Sequence, residues 1–502
     1  MSTGAAHSGP EPSRLLVSLT VMLTTVMAIL DMTIVNVTLP HMMGALGARS
    51  DQVTWVLTSY IVAEAITIPL TGFLTGRFGR KRVMLVGIGG FVISSMLCGT
   101  AQSLPEIVFF RVMQGVFGAP LIPLSQSVMV TLFPPRERGK AMALWSIGIM
   151  LGPVLGPTLG GFITEHLNWR WVFFINLPVG LLNLVLVARL IKETERFQKA
   201  FDIVGALFMA LGIGALQVVL DRGNEDNWFE SHTIVLLSLL SVASLVTFAW
   251  RSVHRGDSVL NLQVLKDRNL ALSSFMMATF GLGLFGTIAL QPIMLERLFN
   301  YPAETTGLVM APRALGSAFS MMLVAKLINR FDARKLVFLG LCLAATGTWL
   351  MSRYNLQIST GWVVWPGVVQ GLGLGMIFVP LSTIAYETIS KNHLDEAAGI
   401  FNLARTLGSA MGISAATTVL SHASQTGWNE LGGHFNPFNP ALYGWLARHG
   451  LTLDAPLTPH LLAQLLGRQS TILAFVDVFY MIAISFLVLS PLLMLMGRPQ
   501  RH

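Results

Sequence analysis

The sequence predicts an all-α protein that crosses a membrane fourteen times. Only 12% of the 502 residues are charged, 53% are hydrophobic, and the mean hydropathy is +0.64. Soluble domains contain roughly 25% charged residues, so this composition indicates a chain whose main solvent is lipid. Apolar segments of about twenty residues recur along the sequence, and each is long enough to cross a hydrocarbon core of ~30 Å as a helix.

Short polar loops separate these apolar segments. The predicted spans are residues 15–39, 53–75, 83–101, 105–131, 140–163, 171–190, 202–220, 232–251, 270–295, 305–328, 334–352, 362–387, 398–420 and 471–496. We expect the first span to be retained, because it is about twenty-five residues long and contains Asp31, unlike the short apolar core of a cleavable signal peptide.

The basic residues of the loops fall mostly on one side of the membrane. If the N-terminus is cytoplasmic, 22 Lys and Arg residues lie in inside segments and 7 in outside segments. Because cytoplasmic loops are enriched in Lys and Arg, this bias predicts that both termini are cytoplasmic. The net charge of +8 is then a topology signal. It is not typical of a nucleic-acid partner, since no basic domain with interleaved aromatic residues accompanies it.

The two halves of the sequence resemble each other. Three blocks match in the same order: RFGRKRVMLVG (77–87) with RFDARKLVFLG (330–340), GAPLIPLS (118–125) with GMIFVPLS (375–382), and Gly139, Gly148 and Gly152 with Gly399, Gly408 and Gly412. Such a repeat is typical of carriers built from two parallel six-helix bundles. The predicted domains are an N-terminal bundle (1–200), two inserted spans with a cytoplasmic linker (201–268), and a C-terminal bundle (269–502) with an outer loop at about 421–470.

Six charged side chains fall in the interior of predicted spans, away from the span ends, namely Asp31, Glu64, Arg111, Arg313, Arg405 and Asp477. A charge at the bilayer centre costs about 2.5–3.5 kcal/mol on insertion scales, and function is the usual reason for that cost. A carboxylate in such surroundings can bind a proton from one side and release it to the other.

Asp31 is the predicted proton-coupling residue, with Arg111 and Gln114 biasing its protonation or shaping the adjacent cavity. A purely structural Asp–Arg pair is the alternative. Glu64 either attracts cationic substrates or is hydrogen-bonded between helices. Arg405 and Asp477 are predicted to form a pair that stabilises one conformational state. The predicted substrate cavity comprises Asn36, Glu64, Gln114, Arg405 and Asp477.

The fifth predicted span contains regularly spaced glycines. Gly148, Gly152, Gly156 and Gly160 are four residues apart, so on a helix they form one strip without side chains that a neighbouring helix can approach closely. Two prolines in the same span remove backbone donors and favour a bend. A kink that controls opening of a cavity and simple static packing are both compatible with this pattern. The residues concerned are Gly148, Gly152, Pro153, Gly156, Pro157, Gly160 and Gly161.

Several motifs resemble those of a known family. They are LDMTIVNVTLP (30–40), GFLTGRFGRKR (72–82), FRVMQG (110–115), GPVLGPTLGG (152–161), NWRWVFFINLPVG (168–180), LDRGNEDNWF (220–229) and NPFNP (436–440). Together they resemble the EmrB-type fourteen-span drug:proton antiporters of the major facilitator superfamily. Gly76 stands where the loop motif of the superfamily usually has Asp.

That resemblance implies a major facilitator fold and a proton-coupled multidrug efflux antiporter in a bacterial inner membrane. It implies that the loop residues Gly72, Arg77, Gly79 and Arg80 take part in gating, and that Gly148–Gly161 is the antiporter motif. It also implies a periplasmic adaptor protein and an outer-membrane channel as partners, with the outer loop as a docking surface. No cofactor is expected beyond the coupling proton.

Other functions fit the sequence less well. The single Gly-Lys pair, Gly139-Lys140, lacks the remainder of a phosphate-binding loop, which argues against an ATP-driven pump. All eleven histidines fall in termini, loops or span ends, which argues against a metal site or a haem enzyme. A proton-coupled exporter or importer of one metabolite, such as a fatty acid or siderophore, remains the main alternative, and a membrane-embedded enzyme is less favoured.

Overall fold

The protein is helical throughout the part of the chain that the structure describes. The computed structural model describes residues 13–134, 137–196, 202–254, 260, 262–328, 330–390, 393–436, 438–449, 451–452, 455 and 457–497, and these ranges contain no β-strand. Within the helices, the side chains of Val37, Ser50, Asp51, Met150, Pro153, Val154, Pro157, Ala303 and Glu304 lie outside the described part.

Among the described residues, twelve α-helices precede residue 260. They are α1 (Arg14–Leu46), α2 (Ser50–Val53), α3 (Trp55–Thr67), α4 (Thr71–Phe78), α5 (Arg80–Thr100), α6 (Leu104–Gly118), α7 (Leu121–Leu132), α8 (Arg138–His166), α9 (Trp171–Phe174), α10 (Asn176–Leu190), α11 (Ile203–Arg222) and α12 (His232–His254). We call α1 to α10 the N-half.

Seven helices follow. They are α13 (Arg268–Phe299), α14 (Ala303–Leu327), α15 (Ala333–Met351), α16 (Thr360–Glu387), α17 (Leu394–Gly432), α18 (Pro440–Arg448) and α19 (Thr458–Val488). We call α13 to α19 the C-half.

The helices coincide with the predicted spans. Among the described residues, twelve helical stretches are long and apolar enough to cross a membrane. The two remaining long helices, α8 and α17, occupy predicted spans five and thirteen. The all-helical membrane architecture is therefore confirmed, whereas the count of fourteen spans, the cytoplasmic termini and the division at residues 200 and 268 stay predictions.

The outer loop predicted at about 421–470 is largely helical. α17 continues to Gly432 and α19 already begins at Thr458, with α18 between them. At ~1.5 Å per residue, the 39 residues of α17 extend well beyond a ~30 Å hydrocarbon core. The two long helices pack together in this extension, where Gly427 faces Ser470 and Gly467 faces Trp428. Hydropathy predicts helices that are too short here, because polar residues continue α17 and α19 beyond the apolar segments.

The helices α11 and α12 form a hairpin that packs on both halves. Arg251 of α12 donates two hydrogen bonds from its guanidinium to the carboxylate of Asp202, at 2.7 Å and 3.0 Å, and Asp202 caps the start of α11. Ile213 of α11 belongs to an apolar cluster that also contains Ala65 of α3 and Ile400 of α17. The hairpin therefore covers one flank of the junction between the two halves.

The glycine strip of α8 packs against α1. A Cβ atom on Gly152 would overlap Ile29, and one on Gly156 would overlap Thr33. The hydroxyl of Thr33 donates a hydrogen bond to the carbonyl oxygen of Gly152 at 3.0 Å. Gly161 has nothing within 4 Å of the corresponding position, so it does not take part in this contact.

The same strip continues at both of its ends. Gly148 lies near Met22 and Val26 of α1, and Gly160 lies against Ile34. The side chains of Pro153 and Pro157 lie outside the described part of the chain, so the predicted kink at these positions stays a prediction.

Gly156→Ala should push α1 away from α8, because the added methyl group has no space beside Thr33. Overpacking of this kind typically costs about 1–3 kcal/mol. We expect a Tm several degrees below that of the native chain in a thermal unfolding assay on detergent-purified protein. Gly161→Ala is the matched control and should leave the Tm unchanged. Equal Tm values for the two variants would contradict the packing described.

Candidate functional site

A buried ion pair lies inside the N-half. The guanidinium of Arg111 on α6 donates a hydrogen bond to the carboxylate of Asp31 on α1 at 2.7 Å. Two side-chain amides donate to the other carboxylate oxygen, Gln114 at 2.9 Å and Asn176 of α10 at 2.7 Å. All four side chains are at most 2% exposed. We call these four residues the Asp31 cluster.

The surroundings of Arg111 fix its orientation. Its Nε atom donates to the backbone carbonyl of Val56 at 3.0 Å, and its guanidinium carbon lies 4.3 Å from the ring centroid of Tyr60. Asn176 also donates to the hydroxyl of Ser95 on α5 at 2.9 Å. The cluster therefore joins α1, α3, α5, α6 and α10 through directed polar contacts.

The carboxylate of Asp31 accepts three hydrogen bonds, one of them from the charged guanidinium of Arg111. The pairing of Asp31 with Arg111 agrees with the sequence analysis. Gln114, predicted to line a substrate cavity, is instead enclosed in the ion-pair cluster and fully buried. The sequence analysis assigned no role to Asn176, although the only amide in the apolar stretch FFINLPVG could have suggested one.

A second buried carboxylate faces the C-half. Glu64 on α3 is 2% exposed, and it interacts electrostatically with Arg405 of α17 and with Arg111. No hydrogen-bond donor among the described residues contacts its carboxylate. Arg405 is itself buried, and its Nε atom donates only a long hydrogen bond, 3.4 Å, to the amide oxygen of Asn402. Glu64 and Arg405 thus place opposite charges on the two halves, and each affects the other electrostatically.

Amide groups bridge the halves beside this pair of charges. Asn402 of α17 donates to the side-chain oxygen of Gln126 on α7 at 2.6 Å, and both residues are buried. The structure does not bring Arg405 and Asp477 together, since Asp477 is exposed on α19. Asn36 is exposed on α1, outside the Asp31 cluster. The predicted pairing of Arg405 with Asp477 is wrong because Arg405 is buried while Asp477 is exposed.

The halves also meet at the end of the helices where Arg80, Arg138 and Lys192 lie, which we call the basic end. The guanidinium of Arg80 donates to the carboxylate of Asp395, the second residue of α17, at 2.8 Å. It also donates to the hydroxyls of Ser127 at 3.0 Å and Thr131 at 3.2 Å, both on α7. Ser127 in turn donates a short hydrogen bond to Asp395.

Further contacts reinforce the basic end. The guanidinium of Arg138 donates to the backbone carbonyl of Tyr386 at 3.0 Å. A Cβ atom on Gly72 of α4 would overlap Glu396 of α17. Only glycine at this position lets the two helices approach so closely. The turn between α4 and α5 places Gly79 at a φ of 90°, a conformation that L residues rarely adopt.

The four loop residues predicted to take part in gating, Gly72, Arg77, Gly79 and Arg80, have different surroundings in the structure. Arg80 docks on α7 and α17, whereas Arg77 is exposed beside the ring of Phe78. The gating role of the loop residues stays a prediction. The sequence analysis missed Asp395, its partner. The acidic pair that begins α17, Asp395 and Glu396, was a usable signal, since acids favour helix N-termini.

The C-half contains a buried arginine of its own. The guanidinium of Arg313 on α14 donates to the side-chain oxygens of Gln291 at 3.3 Å and Gln370 at 3.4 Å. The amide of Gln370 donates to the hydroxyls of Thr287 and Thr348. These contacts bring only neutral partners to Arg313, in contrast to the ion pair of Arg111.

The sequence and the fold match known proteins over most of their length. The family described as "Major Facilitator Superfamily" matches residues 21–413. The multidrug export protein EmrB of Haemophilus influenzae is 35% identical over 480 residues, which cover 94% of each chain. EmrB of Escherichia coli K12 is 34% identical over 93% of this chain and 92% of its own. The fatty acid resistance protein FarB of Neisseria gonorrhoeae is 34% identical over 97% and 96%.

Solved structures show the same fold. The human organic anion transporter MFSD10 superposes with a TM-score of 0.62 at 16% identity, over 95% of this chain and all of that one. The proton:xylose symporter XylE superposes with a TM-score of 0.61 at 16% identity, over 94% of each chain. At such low identity these two likenesses concern the fold alone. The chain is a multi-pass membrane transporter that belongs to the major facilitator superfamily and, within it, groups with the EmrB-type multidrug export proteins.

Proposed function

We propose that the protein exports lipophilic toxic compounds in exchange for protons, by alternating access. The observation that carries this proposal is the Asp31 cluster, an ion pair held without solvent inside a membrane-spanning bundle. Apolar residues of similar volume are often as stable as a buried ion pair, so stability alone gives little reason to keep the pair. Relatives named as multidrug export proteins support efflux as the direction of transport.

Proton binding at Asp31 would change the contacts of α1. A neutral Asp31 no longer attracts Arg111, and one of its oxygens becomes a donor where three donors now converge. α1 must then shift against α6 and α10. Because α1 also lies on the glycine strip of α8, this shift reaches the helix that carries the antiporter motif. A membrane potential of 100 mV supplies about 2.3 kcal/mol for each proton that enters.

The two halves would rock about the charges of Glu64 and Arg405. If the basic end is cytoplasmic, as the loop charges predict, the contacts of Arg80 with Asp395 close the cytoplasmic side in this conformation. Export then requires these contacts to open so that substrate can enter from the cytoplasm or the inner leaflet. Glu64 provides a negative charge that cationic substrates would neutralise.

Export of an acidic lipophile is the second candidate. FarB, the relative named for fatty acid resistance, is similar over nearly the whole chain. The buried guanidinium groups of Arg313 and Arg405 are the groups in this protein that would attract a carboxylate. The inner membrane, the periplasmic adaptor and the outer-membrane channel remain part of the proposal, with the extension formed by α17, α18 and α19 as the docking surface.

Asp31→Asn should abolish exchange, because the amide cannot carry a proton between the two sides. In liposomes containing the purified protein, we expect substrate-driven proton movement to fall at least tenfold, toward the level of empty vesicles. Glu165→Gln removes an exposed acid from α8 and serves as the control that keeps native activity. Undiminished proton movement in Asp31→Asn would exclude the proposed coupling.

Glu64→Gln should separate the two candidate substrate classes. If Glu64 attracts cations, efflux of a cationic dye should fall by roughly tenfold, the equivalent of about 1.4 kcal/mol, while efflux of a neutral compound and a fatty acid changes little. Efflux of each compound would be measured from cells that lack other pumps and express equal amounts of protein. Equal losses for all three compounds would show that Glu64 has no part in selectivity.

Asp395→Asn should open the basic end by removing the carboxylate that holds Arg80. Spin labels on cysteines at positions 82 and 330, in a chain without Cys98 and Cys342, report the distance between the halves there. We expect a longer distance in the Asp395→Asn variant than in the parent, and no change on Asp226→Asn in the opposite loop. An unaltered distance distribution in both variants would mean that the ion pair does not control this end.

A further inference from the structure

A small cavity opens at the basic end of the N-half. It has a volume of about 300 Å³ and lies where α1 begins and where α7 and α10 end. Three basic side chains line it, those of Arg14, Arg80 and Lys192, together with the hydroxyl-bearing Thr131. No acidic side chain is among the described residues of the lining. The cavity is therefore suited to a negatively charged group.

Acids contact both arginines of the lining. Arg14 contacts Glu137 at 3.5 Å, with side chains that are 61% and 40% exposed, and ion pairs open to solvent contribute little. Arg80 is engaged by Asp395 and by hydroxyls on α7, which hold its guanidinium at the cavity wall. Arg14 is also the first residue of α1, so the positive end of the α1 dipole adds to the field.

The rest of the lining is apolar. Val17, Val128 and Leu190 line the cavity beside the basic groups. On the first two turns of α1, next to Arg14, Leu15 and Leu19 are 64% and 49% exposed. Basic groups at the ends of membrane helices, next to an exposed apolar surface, match a ligand with an anionic head and hydrocarbon chains.

We propose that this cavity binds the phosphate headgroup of an anionic phospholipid, with its acyl chains on the exposed leucines of α1. Free phosphate shares the charge of the headgroup but cannot use the apolar surface. All the residues that line the cavity belong to the N-half, so the site does not require the contact of Arg80 with Asp395. The proposal does not depend on which compound the protein transports.

Native mass spectrometry of detergent-purified protein tests this site. We expect dioleoyl phosphatidylglycerol to remain bound at lipid concentrations where phosphatidylcholine is lost. The double variant Arg14→Gln/Lys192→Gln should weaken phosphatidylglycerol binding by roughly tenfold or more, since each basic residue near a membrane surface contributes several-fold to the attraction of anionic lipid. The matched control, Lys326→Gln/Arg330→Gln, removes two exposed charges from the C-half at the same end and should bind as the native chain does.

Three outcomes would overturn the proposal. Phosphatidylglycerol could bind both double variants equally well, which would place the lipid elsewhere. Inorganic phosphate could displace the lipid at equal concentration, which would identify a site for free anions. Phosphatidylcholine could bind as tightly as phosphatidylglycerol, which would remove the role of charge. A thermal unfolding assay without lipid should give the same Tm for both variants, so that loss of binding is not loss of fold.

Discussion

The ion pair between Asp31 and Arg111 organises the N-half. Each charge alone would be costly in an interior without water, and the pair is stabilised by the hydrogen bonds that both charged groups make to neighbouring residues. The amides of Gln114 and Asn176 donate hydrogen bonds to the carboxylate of Asp31, and the backbone carbonyl of Val56 accepts one from the guanidinium of Arg111. Five helices are thereby held in one arrangement. Any change in charge at Asp31 must be transmitted to all of them.

The packing around α1 converts that local change into movement. α1 carries Asp31 and lies directly on the glycine strip of α8. At the basic end, Arg80 joins the N-half to Asp395 of α17, and Glu64 interacts electrostatically with Arg405 of the same helix. α17 is therefore the part of the C-half on which the charges of the N-half act. In the proposed mechanism, alternating access is an exchange between these few polar interactions.

Much of the fold could be predicted from the sequence because lipid imposes simple rules. Hydropathy places nearly every span within a few residues, and the glycine spacing of α8 indicates close packing. The extension of α17 and α19 could not be found in this way, because helix pairing rather than lipid stabilises it. The pairing of Asp31 with Arg111 follows from the need to neutralise charges inside one bundle. The ion pair of Arg80 with Asp395 and the electrostatic interaction of Glu64 with Arg405 join distant segments, which no local pattern reveals.

Infrared difference spectroscopy on purified protein tests the central claim most directly, because it distinguishes a carboxylic acid from a carboxylate. Acidification of the native protein without substrate should produce a carboxylic-acid band that is absent in the Asp31→Asn variant. Addition of a transported compound at the same pH should remove that band from the native spectrum. A band of equal intensity in both proteins, or one that substrate leaves unchanged, would show that Asp31 does not exchange its proton for substrate.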